Sequence, residues 1–146
     1  MERTLAIIKP DAVERGLTGS IIARLQKEGF VVLGMKMIRL TQDDAGRFYA
    51  VHRERPFFDS LTGYMASGPI VPLLLQRHEA IKTLREVMGA TDPAQAAPGT
   101  LRQEFGVDVE KNSVHGSDST PSAAQEIPFF FSQLECHEPS GSGREA

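Results

Sequence analysis

The sequence predicts an α/β protein of one domain, a single four-stranded sheet with helices packed against it. Two observations predict this. Short runs rich in Val, Ile and Leu alternate with segments of helical spacing, in the order strand, helix, strand, helices, strand, helix, strand, helix. The 146 residues, 40% hydrophobic and 24% charged, suit one globular core. Periodicity leaves the strand order open.

Leu5 to Ile8 is a continuous apolar run closed by Lys9, Pro10 and Asp11, which reads as a buried strand ending in a turn and places Lys9 at the strand end. Ile21, Ile22 and Leu25 have helical spacing, with Thr18 as candidate N-cap and Gly29 as the stop. Phe30 to Leu40 reads as a long second strand. Thr41 and Asp44 resemble a capping box, which starts a helix carrying Ala45, Phe48 and Tyr49 on one face. A short helix follows Arg55 and Pro56 and ends at Ser67, Gly68 and Pro69. Ile70 to Leu75 is the third strand, and Pro72 suits an edge or a bulge. Ile81, Leu84 and Met88 mark a helix closed by Gly89, and Pro93 and Pro98 then predict a loop. Asn112 to Gly116 can hold the fourth strand. Thr120 and Pro121 start a last helix with Ala124, Ile127 and Phe131 as its apolar stripe. The expected domain spans residues 1–138, and 139–146 are expected to form a flexible tail.

Composition excludes several functions. A net charge of −3 without a basic cluster argues against a nucleic-acid partner. No apolar run approaches the roughly 20 residues of a membrane-spanning helix, so no membrane partner is expected. The start of the chain lacks a secretory apolar region, and the single cysteine, Cys136, suits a reducing compartment; a cytoplasmic location is expected. The four histidines, at 52, 78, 115 and 137, show no ligand spacing for zinc. The phosphate-loop, dinucleotide and nucleophile-elbow motifs are missing.

One segment is dense in polar groups: Asn112 to Ser119, which contains His115, Gly116, Ser117 and Asp118 and directly precedes a helix start. A neutral imidazole beside the N–H groups of a helix N-terminus suits phosphoryl transfer to histidine. By itself the segment could equally be a helix cap with a polar loop histidine.

This segment matches N-x-x-H-G-S-D-[SA], and the chain thereby resembles the nucleoside diphosphate kinase family. Further matches follow in order: Thr4 to Asp11, Arg15 and Gly16, Arg55 to Phe58, Ser67 to Pro69, Met88 to Pro93, and Pro98 to Arg102. The resemblance covers about residues 3–135. It implies a ferredoxin-like sandwich, four antiparallel strands with helices on one face and extra helices around a nucleotide cleft. It also implies transfer of the γ-phosphate from a nucleoside triphosphate to a nucleoside diphosphate, through phosphohistidine, with Mg²⁺ carried mainly on the nucleotide phosphates and with low base selectivity. A homo-oligomer, tetramer or hexamer, is implied as well.

Residue by residue, the resemblance makes His115 the nucleophile at Nδ1 and Glu126 the carboxylate that holds Nε2. Arg85, Arg102 and Thr91 become phosphate ligands, Lys9 and Asn112 the pair on the ribose hydroxyls, with Lys9 also near the transferred phosphate. Phe57 and Val109 sandwich the base, Tyr49 lies near the histidine, and Ser117 supplies a hydroxyl close to it. Each has an ordinary alternative. Arg85 and Arg102 could form surface ion pairs, Phe57 and Tyr49 could be core aromatics, Thr91 a cap, Glu126 a solvated helix residue and Lys9 a plain strand end. Glu110 and Lys111 place an extra carboxylate next to Asn112, a departure of unassigned effect. A binding module that keeps the fold without turnover remains a rival, although the histidine, lysine and arginines of the reaction are all present.

Overall fold

The computed structural model describes residues 1–139. Its sheet has the order β2-β3-β1-β4, every pair antiparallel. The strands are β1 (Glu2–Ile8), β2 (Val31–Met35), β3 (Val71–Arg77) and β4 (Val114–Gly116). This is the four-stranded ferredoxin-like arrangement that the resemblance implies.

β1 is central, and Leu5, Ala6, Ile7 and Ile8 are all fully buried. That is why its sequence shows no polar alternation: both faces are covered. On one face Ala6, Ile8, Leu73 and Leu75 pack against Ile21 and Leu25 of α2 (Thr18–Lys27) and Leu84 and Met88 of α5 (Ala80–Met88). On the other, Leu5, Ile7, Leu33 and Leu74 meet Ala45 of α3 (Gln42–Phe48), Met65 of α4 (Phe58–Met65) and Phe130 of α7 (Thr120–Phe130). The additional helices of the cleft thus close the second face of the sheet.

Several elements differ from the sequence reading. The turn after β1 is a short helix, α1 (Pro10–Glu14), and the 90–111 loop contains another, α6 (Leu101–Phe105), capped by Thr100. Each is a single turn of helix or little more, too short to show a period. Thr18 is the first residue of α2, with Leu17 before it and no side-chain cap. The second strand stops at Met35, after a bulge between Val32 and Gly34. Pro72 explains the stop. It sits in a central strand rather than at an edge, and its carbonyl accepts from Lys36 N–H at 3.3 Å, so its missing donor also faces β2. The ladder lapses there and resumes only at the Ile38–Ile70 bridge. In α7 the inward residues are Ala123 and Phe130, with Ile127 half-buried, whereas Ala124 is exposed. Of the expected tail only Pro139 lies within the described residues.

Candidate active site

The residue after β1, Lys9, and His115 and Gly116 of β4 meet at one cleft of about 610 Å³. Its walls carry Lys9, Tyr49, Phe57, Arg85, Thr91, Arg102, Val109, Asn112, His115 and Glu126. These residues come from separate elements and loops between Lys9 and Glu126, and every one was singled out from the sequence. Ser117 alone of that set lies behind the wall, fully buried.

His115 occupies the middle of β4, opposite Ile7. Its Nε2 pairs with Glu126 Oε1 at 2.8 Å, and Ser117 Oγ donates to the same oxygen at 2.9 Å. Glu126 is two turns into α7, so the helix that Ser119 caps through Ser122 N–H brings the carboxylate back to the histidine. A carboxylate on Nε2 selects the tautomer with its proton there and leaves a lone pair on Nδ1. The rings of Phe48 and Tyr49 meet the imidazole edge-on, with centroids 5.3 and 5.9 Å away. Burial, then the charge of Glu126, pushes the Tyr49 hydroxyl well above its usual range, which keeps it a proton donor.

Three cations share the cleft. Lys9 is 5% exposed, and burial followed by repulsion from Arg102 lowers its pKa to about 8. Its Nζ donates to Asn112 Oδ1 at 2.9 Å and to the Glu110 carbonyl at 2.8 Å. Arg102 is also buried, and burial with repulsion from Arg85 lowers it to about 10. Its guanidinium donates to the carbonyls of Gly89, at 3.0 Å, and Val114, at 2.8 Å, while Nε has no partner. Among the described residues none of these three cations has a carboxylate ion-pair partner. The surface ion pair is therefore excluded as an account of Arg85 and Arg102 within the described chain.

Asn112 locks the floor: its amide donates to the carbonyls of Thr91 and Val109, both at 3.0 Å. At the mouth, Phe57 and Val109 are 46% and 58% exposed, so the aromatic is not core. Glu110, flagged as an extra carboxylate, accepts from Ser60 Oγ at 3.1 Å. Asp118 also lines the cleft and is held ionised by the Ser122 hydroxyl at 2.6 Å. Sequence reasoning missed a further set, the buried Asp11 and Ser113 with the half-buried Tyr64, because nothing local connects position 64 to position 11 or 113.

The comparisons agree with this geometry. A profile of the nucleoside diphosphate kinase family matches residues 2–136. The nucleoside diphosphate kinases of Geobacter sulfurreducens and Nitratidesulfovibrio vulgaris are each 58% identical over 135 residues, covering 92% of this chain and 98% or 97% of theirs. The structure of the Aquifex aeolicus nucleoside diphosphate kinase superposes with a TM-score of 0.91 at 51% identity, covering 92% of this chain and 98% of that one. That of the Halobacterium salinarum enzyme, solved in complex with CDP, gives 0.93 at 38% identity, over 97% of this chain and 94% of that one. With relatives this similar over nearly their whole length, and a cleft that joins a histidine and its carboxylate to three cations, the chain belongs to the nucleoside diphosphate kinase family and is a phosphotransferase acting on nucleotides.

Proposed function

We propose that this cleft transfers the γ-phosphate by double displacement with the residues in the following roles. Nδ1 of His115 attacks the γ-phosphorus of a nucleoside triphosphate, the bond to the bridging oxygen breaks, and the diphosphate leaves. The terminal oxygen of a second diphosphate then attacks the phosphohistidine and returns His115 to its neutral form. Glu126 keeps Nε2–H oriented and balances the positive charge of the phosphorylated ring, and Ser117 fixes Glu126 rather than touching the phosphate. Arg85, Arg102 and Thr91 hold the phosphates, Lys9 and Asn112 the ribose and the transferred group, and Tyr49 packs edge-on against the histidine. The observation that carries this is the trio Lys9, Arg85 and Arg102: like charges held together without carboxylate partners are relieved by a polyanion.

The base lies between Phe57 and Val109, whose contacts are a π face and an aliphatic surface, so the sandwich favours no particular base. The CDP bound to the Halobacterium salinarum relative is consistent with such a site. Among the described residues no three His, Cys, Asp or Glu come together as metal ligands. Mg²⁺ would be carried on the nucleotide phosphates and neutralise their charge there, with Asp118 as one ionised carboxylate on the wall. The chain is assigned to a homo-oligomer, because Val31, Met35 and Met37 around β2 and Leu134 beside it leave apolar side chains exposed, Leu134 to 90%. A cytoplasmic site of action accords with the unpaired Cys136, and no helix among the described residues is long and apolar enough to cross a membrane.

The test is incubation with γ-labelled ATP. The wild type gives an acid-labile, base-stable phosphoprotein that discharges to a diphosphate. His115→Ala gives none while binding ADP within about threefold, since the imidazole adds little to ground-state affinity. Label retained in that variant overturns the assignment.

A further inference from the structure

Asn112 and His115 are three residues apart and face the same cleft. In a regular strand, side chains alternate, so positions separated by an odd number point to opposite sides. The structure resolves the conflict at Ser113, whose φ is +76°. Val114 N–H donates to the Asn112 carbonyl at 2.9 Å, which closes a γ-turn of the rare, strained hand around Ser113. The turn resets the alternation, and the strand resumes with His115 on the cleft side.

A non-glycine residue in this conformation persists only where its surroundings hold it. Here they do so through Asp11. Ser113 is fully buried, and both its donors go to that carboxylate: Oγ to Oδ2 at 3.1 Å and N–H to Oδ1 at 3.3 Å. The Ser113 carbonyl accepts from Lys9 N–H at 2.9 Å. Asp11 is itself buried, and Tyr64 fixes it from α4. The phenol donates to Oδ1 and accepts from Asp11 N–H at 3.1 Å. Burial, then the hydrogen bond to Asp11, raises the Tyr64 pKa far above its usual value, so the phenol keeps its proton. No charged group of the described chain forms a salt bridge with this carboxylate, and none of these three side chains lines the cleft.

We infer that Asp11 and Ser113 are positioning residues for phosphoryl transfer, joined so that the strained turn aims His115 and Asn112 into one cleft. The inference rests on His115 being the nucleophile. The link acts on the angle between the ribose end of the site and the attacking nitrogen, so its loss slows attack more than it weakens nucleotide binding.

Rapid-quench measurement of His115 phosphorylation by γ-labelled ATP, beside ADP affinity and thermal unfolding, tests this in three variants. Ser113→Ala removes the hydroxyl and leaves a Cβ in the strained turn; a fall in the phosphorylation rate of about tenfold is expected, with ADP affinity within about twofold. Asp11→Asn, which loses one accepting oxygen, shows the same split. Ser113→Gly, at home at this φ and retaining its N–H bond to Asp11, keeps most of the rate. A structural role alone would lower the melting temperature of all three variants and leave the rate of the folded enzyme unchanged. Wild-type rates in Ser113→Ala and Asp11→Asn, or a loss in Ser113→Gly equal to that in Ser113→Ala, overturn the inference. Absence of labelled wild-type protein would instead reject His115 as the nucleophile, which keeps the two failures apart.

Discussion

Glu126 Oε1 accepts from both His115 and Ser117, so the carboxylate that orients the nucleophile is itself oriented from the far side. The amide oxygen of a glutamine can keep both bonds but lacks the charge that balances a phosphorylated ring. Glu126→Gln is therefore expected to lower the rate of His115 phosphorylation at least tenfold, while ADP affinity stays within about twofold; equal losses in both would remove it from the transfer step. Arg102 carries two roles. Its guanidinium satisfies the carbonyls of Gly89 and Val114 and also faces the cleft. Arg102→Ala should lower kcat/KM for the phosphoryl donor by well over fivefold and also destabilise the fold by about 2–4 kcal/mol, since buried carbonyls lose charged donors. Activity loss without any change in urea midpoint would show that the carbonyl bonds contribute nothing. The residues that line the cleft were legible because their types and order match a family pattern. Asp11, Tyr64 and Ser113 lie off the cleft around a turn of positive φ, and a backbone angle leaves no mark in side-chain chemistry.

At the scale of elements, α5 shows how a boundary residue fixes the site. Gly89 ends that helix with φ +87° and ψ −179°, a region open essentially to glycine alone. A Cβ there would meet Thr100 Oγ1 at 2.5 Å and Thr100 Cβ at 2.7 Å. Thr100 caps α6, the helix that carries Arg102, so the close approach sets where that arginine stands. Gly89→Ala should destabilise the protein by about 2–4 kcal/mol, combining backbone strain with overlap, and reduce donor kcat/KM through displacement of Arg102. A melting temperature and kcat/KM equal to wild type would show that α6 accommodates the methyl group freely. The glycine stop, the capping box at Thr41 and Asp44, and the proline-led start of α7 were all readable, because each is written in three or four adjacent residues. α1 and α6 were not, being five residues each. The early end of β2 depends on Pro72, more than thirty residues away in sequence, and only the register between β2 and β3 reveals it.

For the whole molecule, alternation of elements gave one sheet with helices and the family resemblance its ferredoxin-like class, whereas the order β2-β3-β1-β4 is a tertiary property read from the structure. The same order puts the end of the central strand at the cleft and buries Lys9 there, next to Arg102 and out of water. Binding a polyanion and stabilising the free fold thus pull in opposite directions, and pH separates them. The lysine pKa falls from 10.5 to about 8 on folding. Between those values the unfolded chain binds more protons, so stability rises with pH through this window, by up to about 3 kcal/mol from this group. Below pH 8 both states hold the proton, and the unfavourable burial is constant. Lys9→Met has no such proton to lose. Its stability relative to wild type should therefore be level from pH 6 to 8 and then decline toward pH 10.5, whatever the loss of the bonds to Glu110 and Asn112 contributes as a constant offset. Urea unfolding of both proteins at one protomer concentration, repeated at unit steps from pH 6 to 10, gives the difference directly, and cancels every titration they share. Parallel curves across that range would mean that Lys9 keeps an ordinary pKa in the folded cleft. A decline confined to pH 8 and above would identify Lys9 as a group whose charge the free fold holds at a disadvantage, which a bound polyanion would offset.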